Sequence, residues 1–243
     1  MRFFSLSDTG KLRESNQDCA LAKEIGSATL LVLADGMGGH RGGEVASSLA
    51  IETISSVISD KLTEKMLPGQ IMLLLSEALE KAHNTISVRA ADNPDLSGMG
   101  TTCDVCLLVK NKMYIAHIGD SRVYKISEDG IIKKLTRDHS LVQAMIENGT
   151  ISPQEAAVHP QKNIILQALG VTETSDPDIF QEKISPSDII LLCSDGLSNM
   201  LDDETVAEAV LSEEDPQKIA EKLIALANEA GGKDNITVAI AKA

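Results

Sequence analysis

The sequence predicts an α+β fold built in layers, not a doubly wound parallel sheet. Two observations carry that expectation. Between residues 101 and 135, four short apolar runs are joined by turn signals at Lys110-Asn111, Gly119-Asp120 and Glu128-Asp129-Gly130, so the runs should pair as an antiparallel meander. The helical patterns lie elsewhere, in two pairs at 44–62 with 68–91 and at 202–211 with 215–230.

In chain order, 2–8 reads as a short strand and 9–18 as a polar loop. The run 19–23 is a second short strand, and 27–34 is a long buried strand that stops at Asp35, where glycines follow. In 44–62, Val45, Leu49, Ile51, Ile54, Val57 and Ile58 recur at helical spacing. Pro68 opens the next helix, whose stripe is Ile71, Leu74, Leu75, Ala78, Leu79, Ala82 and Ile86; His83 on it reads as a solvated or satisfied histidine. After a loop at 92–100 come the strands 101–109, 113–118, 121–126 and 131–135. The stretch 140–160 is helical and polar, broken at Gly149 and Pro153, and reads as a surface excursion. Strands return at 180–184 and 189–193. Asp215-Pro216 caps the last helix, Gly231-Gly232 ends it, and 236–241 closes the chain as a strand. With no low-complexity linker and no repeat, 1–243 is expected to be one domain.

Composition narrows the function. Of 243 residues, 43% are hydrophobic and only 2% aromatic, so the core must be aliphatic. A net charge of -14 argues against nucleic acid or an anionic membrane as the main partner, since both need clustered Lys and Arg. No apolar run has the length of a membrane span, and the first residues are too soon polar for a signal peptide, so a cytoplasmic location is expected. Cys19, Cys103, Cys106 and Cys193 show no disulfide framework. Cys103 and Cys106 lie three apart on one strand and therefore face opposite sides, as buried hydrophobes rather than a redox or zinc pair.

Four aspartates share one local context, a strand end or tight turn beside a small residue: Asp35-Gly36, Gly119-Asp120-Ser121, Asp195-Gly196 and Asp234 after Gly231-Gly232-Lys233. Asp18 adds a fifth. Oxygen ligands without a Cys/His set point to hard divalent cations and away from zinc. Arg13 is the natural complement, because a guanidinium beside such a centre can take two phosphate oxygens.

These residues resemble a family, the metal-dependent serine/threonine protein phosphatases of the 2C type, in their bacterial form. Arg13-x-x-Asn16-Gln17-Asp18, Asp35-Gly36-Met37-Gly38-Gly39, Gly100-Thr101-Thr102, Gly119-Asp120-Ser121-Arg122, Asp138-His139-Ser140, Asp195-Gly196-Leu197 and Gly232-Lys233-Asp234-Asn235 follow the family's motifs in order. The resemblance implies two antiparallel sheets packed face to face, each covered by a pair of helices, in four layers α-β-β-α. It implies two or three Mn²⁺ or Mg²⁺ ions. Asp35 would bridge two of them, with the Gly36 carbonyl on one; Asp195 and Asp234 would hold the other, and Asp120 with Asp195 a third. Asp18 would order the surrounding waters, with Gln17 and Asn235 also behind the ligands, and Arg13 would clamp the phosphoryl group. Segment 140–165 would be a flap. The implied reaction is hydrolysis of phosphoserine or phosphothreonine in proteins by a metal-activated water, without a covalent intermediate. The implied partners are a serine/threonine kinase and its substrates, and a monomer is expected.

Two departures qualify this pattern. Gln17 stands where the family often has Glu, so it acts through water or not at all. Met37 stands where some relatives have a histidine proposed as general acid, and it donates no proton, so metal-bound water or another group must; His40 lies past two glycines from that position, and His139 reads as structural. The competing readings are an inactive phosphatase-like binding module, which should have lost ligands that are all present here, and a small-molecule phosphomonoesterase.

Overall fold

Alternation along one strand, β3 (Ala28–Met37), shows how the layers form. Leu30, Val32 and Ala34 face a core beneath two helices, α1 (Gly39–Lys61) and α2 (Pro68–Asp92). Leu31 and Leu33 face the other way, into a core between two sheets. In the computed structural model, which describes residues 1–171 and 175–242, the first sheet runs β2 (Asp18–Ile25), β3, β5 (Cys103–Val109), β6 (Lys112–Ile118), β9 (Asp178–Lys183), with β4 (Gly100–Thr101) added to the end of β3. The second runs β1 (Arg2–Asp8), β11 (Ile236–Lys242), β10 (Ile189–Cys193), β7 (Arg122–Ile126), β8 (Ile132–Lys134). Pairing is antiparallel in both.

The outer face of the second sheet, with Tyr124, Leu191, Cys193, Val238 and Ile240, packs under α6 (Asp203–Leu211) and α7 (Pro216–Glu229). Asp202 and Asp215 cap these helices, their side chains accepting from Thr205 and Gln217 N–H. The order is therefore helices, sheet, sheet, helices, the four layers expected. Each buried Leu or Ile contributes about 1.5–3 kcal/mol, which is how a chain nearly without aromatics holds three apolar layers. Cys103 faces the helix-side core and Cys106 the inter-sheet core, both as free thiols. His83 is buried, and its Nδ1 accepts from Gly170 N–H at 3.2 Å. After β8, α3 (Leu141–Glu147) and α4 (Pro153–Ala157) form the excursion. Among the described residues no helix is long and apolar enough to cross a membrane.

Three local expectations are corrected. First, β3 does not stop at Asp35: Gly36 and Met37 continue it, paired with Thr101 and Gly100. The glycine that read as a stop is there for close approach, because a Cβ on Gly36 would lie 2.1 Å from the Gly43 carbonyl oxygen and 2.5 Å from that of Gln17. Second, α1 begins at Gly39 rather than near Glu44, for the same reason: glycines of low helix propensity form its first turns and let β3 lie against them. Third, the meander is broken. β6 and β7 are joined by only Gly119, Asp120 and Ser121, yet they belong to different sheets. Gly119 (φ +113°) takes a backbone conformation that L side chains avoid, and the chain crosses between layers there instead of folding back.

Gly36→Ala should therefore destabilise the fold by about 3 kcal/mol, since backbone rather than a flexible side chain must move, lowering the thermal midpoint by roughly 10 °C. A melting curve unchanged from wild type would show that the approach of β3 to α1 is not tight.

Candidate active site

The aspartates reach one place by different routes. Asp35 rides β3, Asp120 sits on the turn that crosses between sheets, Asp195 opens a one-turn helix, α5 (Asp195–Ser198), directly after β10, and Asp234 precedes β11. With Arg13 and Gly36 they line a cleft of about 740 Å³. Asp18 begins β2 directly opposite Asp35 in the antiparallel register. Like charges facing across strands destabilise a sheet, so this pairing has to be offset by something else.

The electrostatics confirm the crowding. Burial pushes Asp195 up to about 7, reinforced by Asp120, Asp234 and Asp18. Asp18 is pushed up to about 6, by burial first, against hydrogen bonds from Thr237 and Ser194. Burial also takes Asp120 to about 6, with Asp138 adding to it. Asp35 is raised well above the carboxylate range by burial and by Asp18, Asp195, Asp120 and Asp234. Asp18 Oδ2 and Asp120 Oδ1 are buried with no hydrogen-bond partner among the described residues. Orphaned carboxylate oxygens in a mutually repelling cluster, without imidazole or thiolate, are the donor set of hard dications. Among the described residues no group of three Asp, Glu, His or Cys side chains is placed closely enough to hold an ion by itself.

Arg13 lies at the rim, half-exposed, its Nη2 donating to Asp234 Oδ2 at 2.7 Å. Its loop is clamped by Asn235, which accepts from Gln17 N–H and donates to the carbonyls of Thr9 and Ser15, all at 2.9 Å. Gln17 lines the cleft, but its amide donates to the Gly39 carbonyl at 2.9 Å. Met37 lines the cleft as well; the side chain of His40 is outside what the structure describes. His139 Nδ1 accepts from Gly119 N–H at 3.2 Å, and the backbone N–H of His139 donates to the Gly119 carbonyl at 2.7 Å, which ties the Asp120 turn to the start of the excursion.

Several positioning groups escape a reading of the sequence. Asn199 donates to Asp195 Oδ2 at 3.0 Å, one helical turn on, a spacing visible only if α5 is foreseen. Thr102 Oγ1 accepts from Asp35 N–H at 3.0 Å and shares a 2.6 Å hydrogen bond with Ser121, linking the ends of two carboxylate-bearing segments. Beneath the Asp120 turn, His117 Nδ1 pairs with Asp104 Oδ1 at 2.7 Å, both fully buried, while Nε2 donates to the Arg137 carbonyl at 2.8 Å. Burial alone would lower His117, but Asp104 more than offsets it and raises it. Arg122 holds Asp138 through Nε and Nη2, the latter at 2.7 Å, so two of the sequence motifs fasten to each other.

Two stacked antiparallel sheets between helix pairs, with aspartates from both sheets at one mouth, define the class. A model of the family described as protein phosphatase 2C matches residues 11–227, and the chain belongs to that family. It is 39% identical over 241 residues to the serine/threonine protein phosphatase PstP of Mycobacterium tuberculosis, covering 99% of this chain but only 45% of that protein. The chain thus spans about half the length of that relative. It is 37% identical over 233 residues to the serine/threonine phosphatase stp of Listeria innocua, covering 96% of this chain and 92% of that one. A solved structure of the catalytic domain of PstP in complex with two manganese ions matches with a TM-score of 0.85 at 36% identity, over 99% of this chain and 97% of that one.

Proposed function

We propose that the chain is a phosphoprotein phosphatase that hydrolyses phosphoserine and phosphothreonine by direct transfer of the phosphoryl group to water. The observation that carries this is the convergence of Asp35, Asp120, Asp195 and Asp234 with Arg13 in one cleft. The names of the relatives support the substrate class, and the manganese complex supports a pair of Mn²⁺ or Mg²⁺ ions. Asp35, the Gly36 carbonyl, Asp195 and Asp234 would hold that pair, and Asp120 with Asp195 a third ion. Bound dications supply a nucleophilic water at neutral pH and neutralise phosphoryl oxygens.

The chain's own residues do the rest. Arg13 presents a two-pronged donor at the rim and orients the phosphate monoester for in-line attack. Asn235 keeps Arg13 there by fixing its loop at three backbone points. Asp18, behind Asp35, supplies a buried acceptor that orders water. Met37 lines the cleft but gives no proton to the leaving alkoxide. Segment 140–165 acts as a flap beside the centre. A serine/threonine kinase and its substrates are the partners this reading implies.

The test is hydrolysis of p-nitrophenyl phosphate and a phosphothreonine peptide with Mn²⁺ and with excess chelator. Turnover with Mn²⁺ and none in chelator is expected; full activity in chelator sinks the dication claim, and none with Mn²⁺ sinks the enzyme. Arg13→Ala should raise KM about 10-fold or more with a smaller change in kcat, as for loss of a charge-assisted contact to substrate. An unchanged KM would remove Arg13 from phosphate binding.

A further inference from the structure

Beside the aspartate cleft lies a second cavity of about 400 Å³, between the excursion and the second sheet. Asp120, Asn163 and Asp195 line both, so a chain leaving the cleft passes into it directly. One wall is apolar, with Val142 and Ile146 from α3 and Pro153 and Ala156 from α4. The lining also carries cations, two from the second sheet and one from the excursion. Arg122 and Lys134 share a single counter-charge, Asp138, at 2.7 and 3.2 Å. Lys162 joins them in the lining and its side chain has no ion-pair partner among the described residues. Apart from the two aspartates shared with the cleft, three cations meet one anion here, in a chain whose net charge is -14.

The geometry points to a substrate subsite that takes an acidic residue near the phosphorylated one. This rests on the phosphatase reading above and adds a specificity to it. A cavity of this volume is about 7 Å across, which an extended chain crosses in two residues at ~3.4 Å each. The apolar wall receives the methylenes of Asp or Glu, and Lys162 receives the carboxylate. Lys162 is a specificity-determining residue in this arrangement, because its ammonium is the cation of the lining not committed to Asp138.

The experiment compares kcat/KM, with Mn²⁺, for two phosphothreonine peptides that differ only in carrying Glu or Ala two residues to either side. Wild type should prefer the Glu peptide by about fivefold, the scale of a partly exposed ion pair. Lys162→Met should bring that ratio toward one and Lys162→Arg should keep it; about 0.5 M salt should shrink it. A wild-type ratio of one or below, or a preference that survives Lys162→Met, overturns the subsite. If wild type turns over neither peptide nor p-nitrophenyl phosphate, the phosphatase reading has failed and the subsite falls with it.

Discussion

Asp35→Asn is expected to lower kcat/KM for p-nitrophenyl phosphate by about 10³-fold or more, and at the same time to raise the thermal midpoint of the protein in chelator. The two effects come from the same charge. Asn is nearly isosteric with Asp, and the backbone around it is fixed independently: Asp35 N–H donates to Thr102 Oγ1 at 3.0 Å, and Thr102 N–H donates to the Asp35 carbonyl at 2.9 Å. The strand end should therefore keep its shape. What goes is a carboxylate buried against Asp18, Asp195, Asp120 and Asp234, each of which raises it. Its removal relieves a like-charge pair facing directly across β2 and β3. A functional centre of this kind holds its charges at the expense of stability. An active Asp35→Asn enzyme would remove Asp35 from the centre. An inactive one that melts lower than wild type in chelator would show that loss of fold, not loss of charge, had stopped it.

The four cleft aspartates were legible because each stands beside a small residue at a strand end or turn, a pattern independent of long-range packing. The layered class was legible for a similar reason, since short turns and paired helical stripes are local signals. The crossing at Gly119 was not, because a three-residue Gly-Asp-Ser turn has the composition of a hairpin; which sheet β7 joins is decided by Arg122 pairing opposite Cys193, far along the chain. The glycines after Asp35 misled for a related reason. Composition shows that a side chain is missing but not whether it is missing for a turn or for a neighbouring backbone. Two cross-strand pairs could have been counted from the hairpins. A two-residue turn at Gly26-Ser27 puts Asp18 opposite Asp35, and one at Lys110-Asn111 puts Asp104 opposite His117. Asn199 needed α5, whose single turn is too short to show a period.

In chelator, the wild-type protein should lose stability as pH rises from about 5 to about 7.5, on the order of 10 °C in thermal midpoint. The ordinary value of these aspartates is 3.8, whereas in the fold Asp18 and Asp120 are held at about 6 and Asp195 at about 7. Between those limits the native state binds protons that the unfolded chain has released, so stability falls with pH by about 1.4 kcal/mol per unit for each such group. Their contribution is complete below the ordinary value and is lost as pH climbs through 6 to 7. His117, raised by Asp104, works in the same direction, its contribution also fading as pH passes its folded value. Asp138, lowered by Arg122 against its own burial, contributes throughout this window and so leaves the slope alone. On the proposed reading Mn²⁺ binds the ionised carboxylates of the native state and not the unfolded chain, so the stabilisation it gives should grow over the same window. A flat profile in chelator, or a Mn²⁺ shift equal at both pH values, would mean that the charges at this mouth are not crowded enough to repel one another.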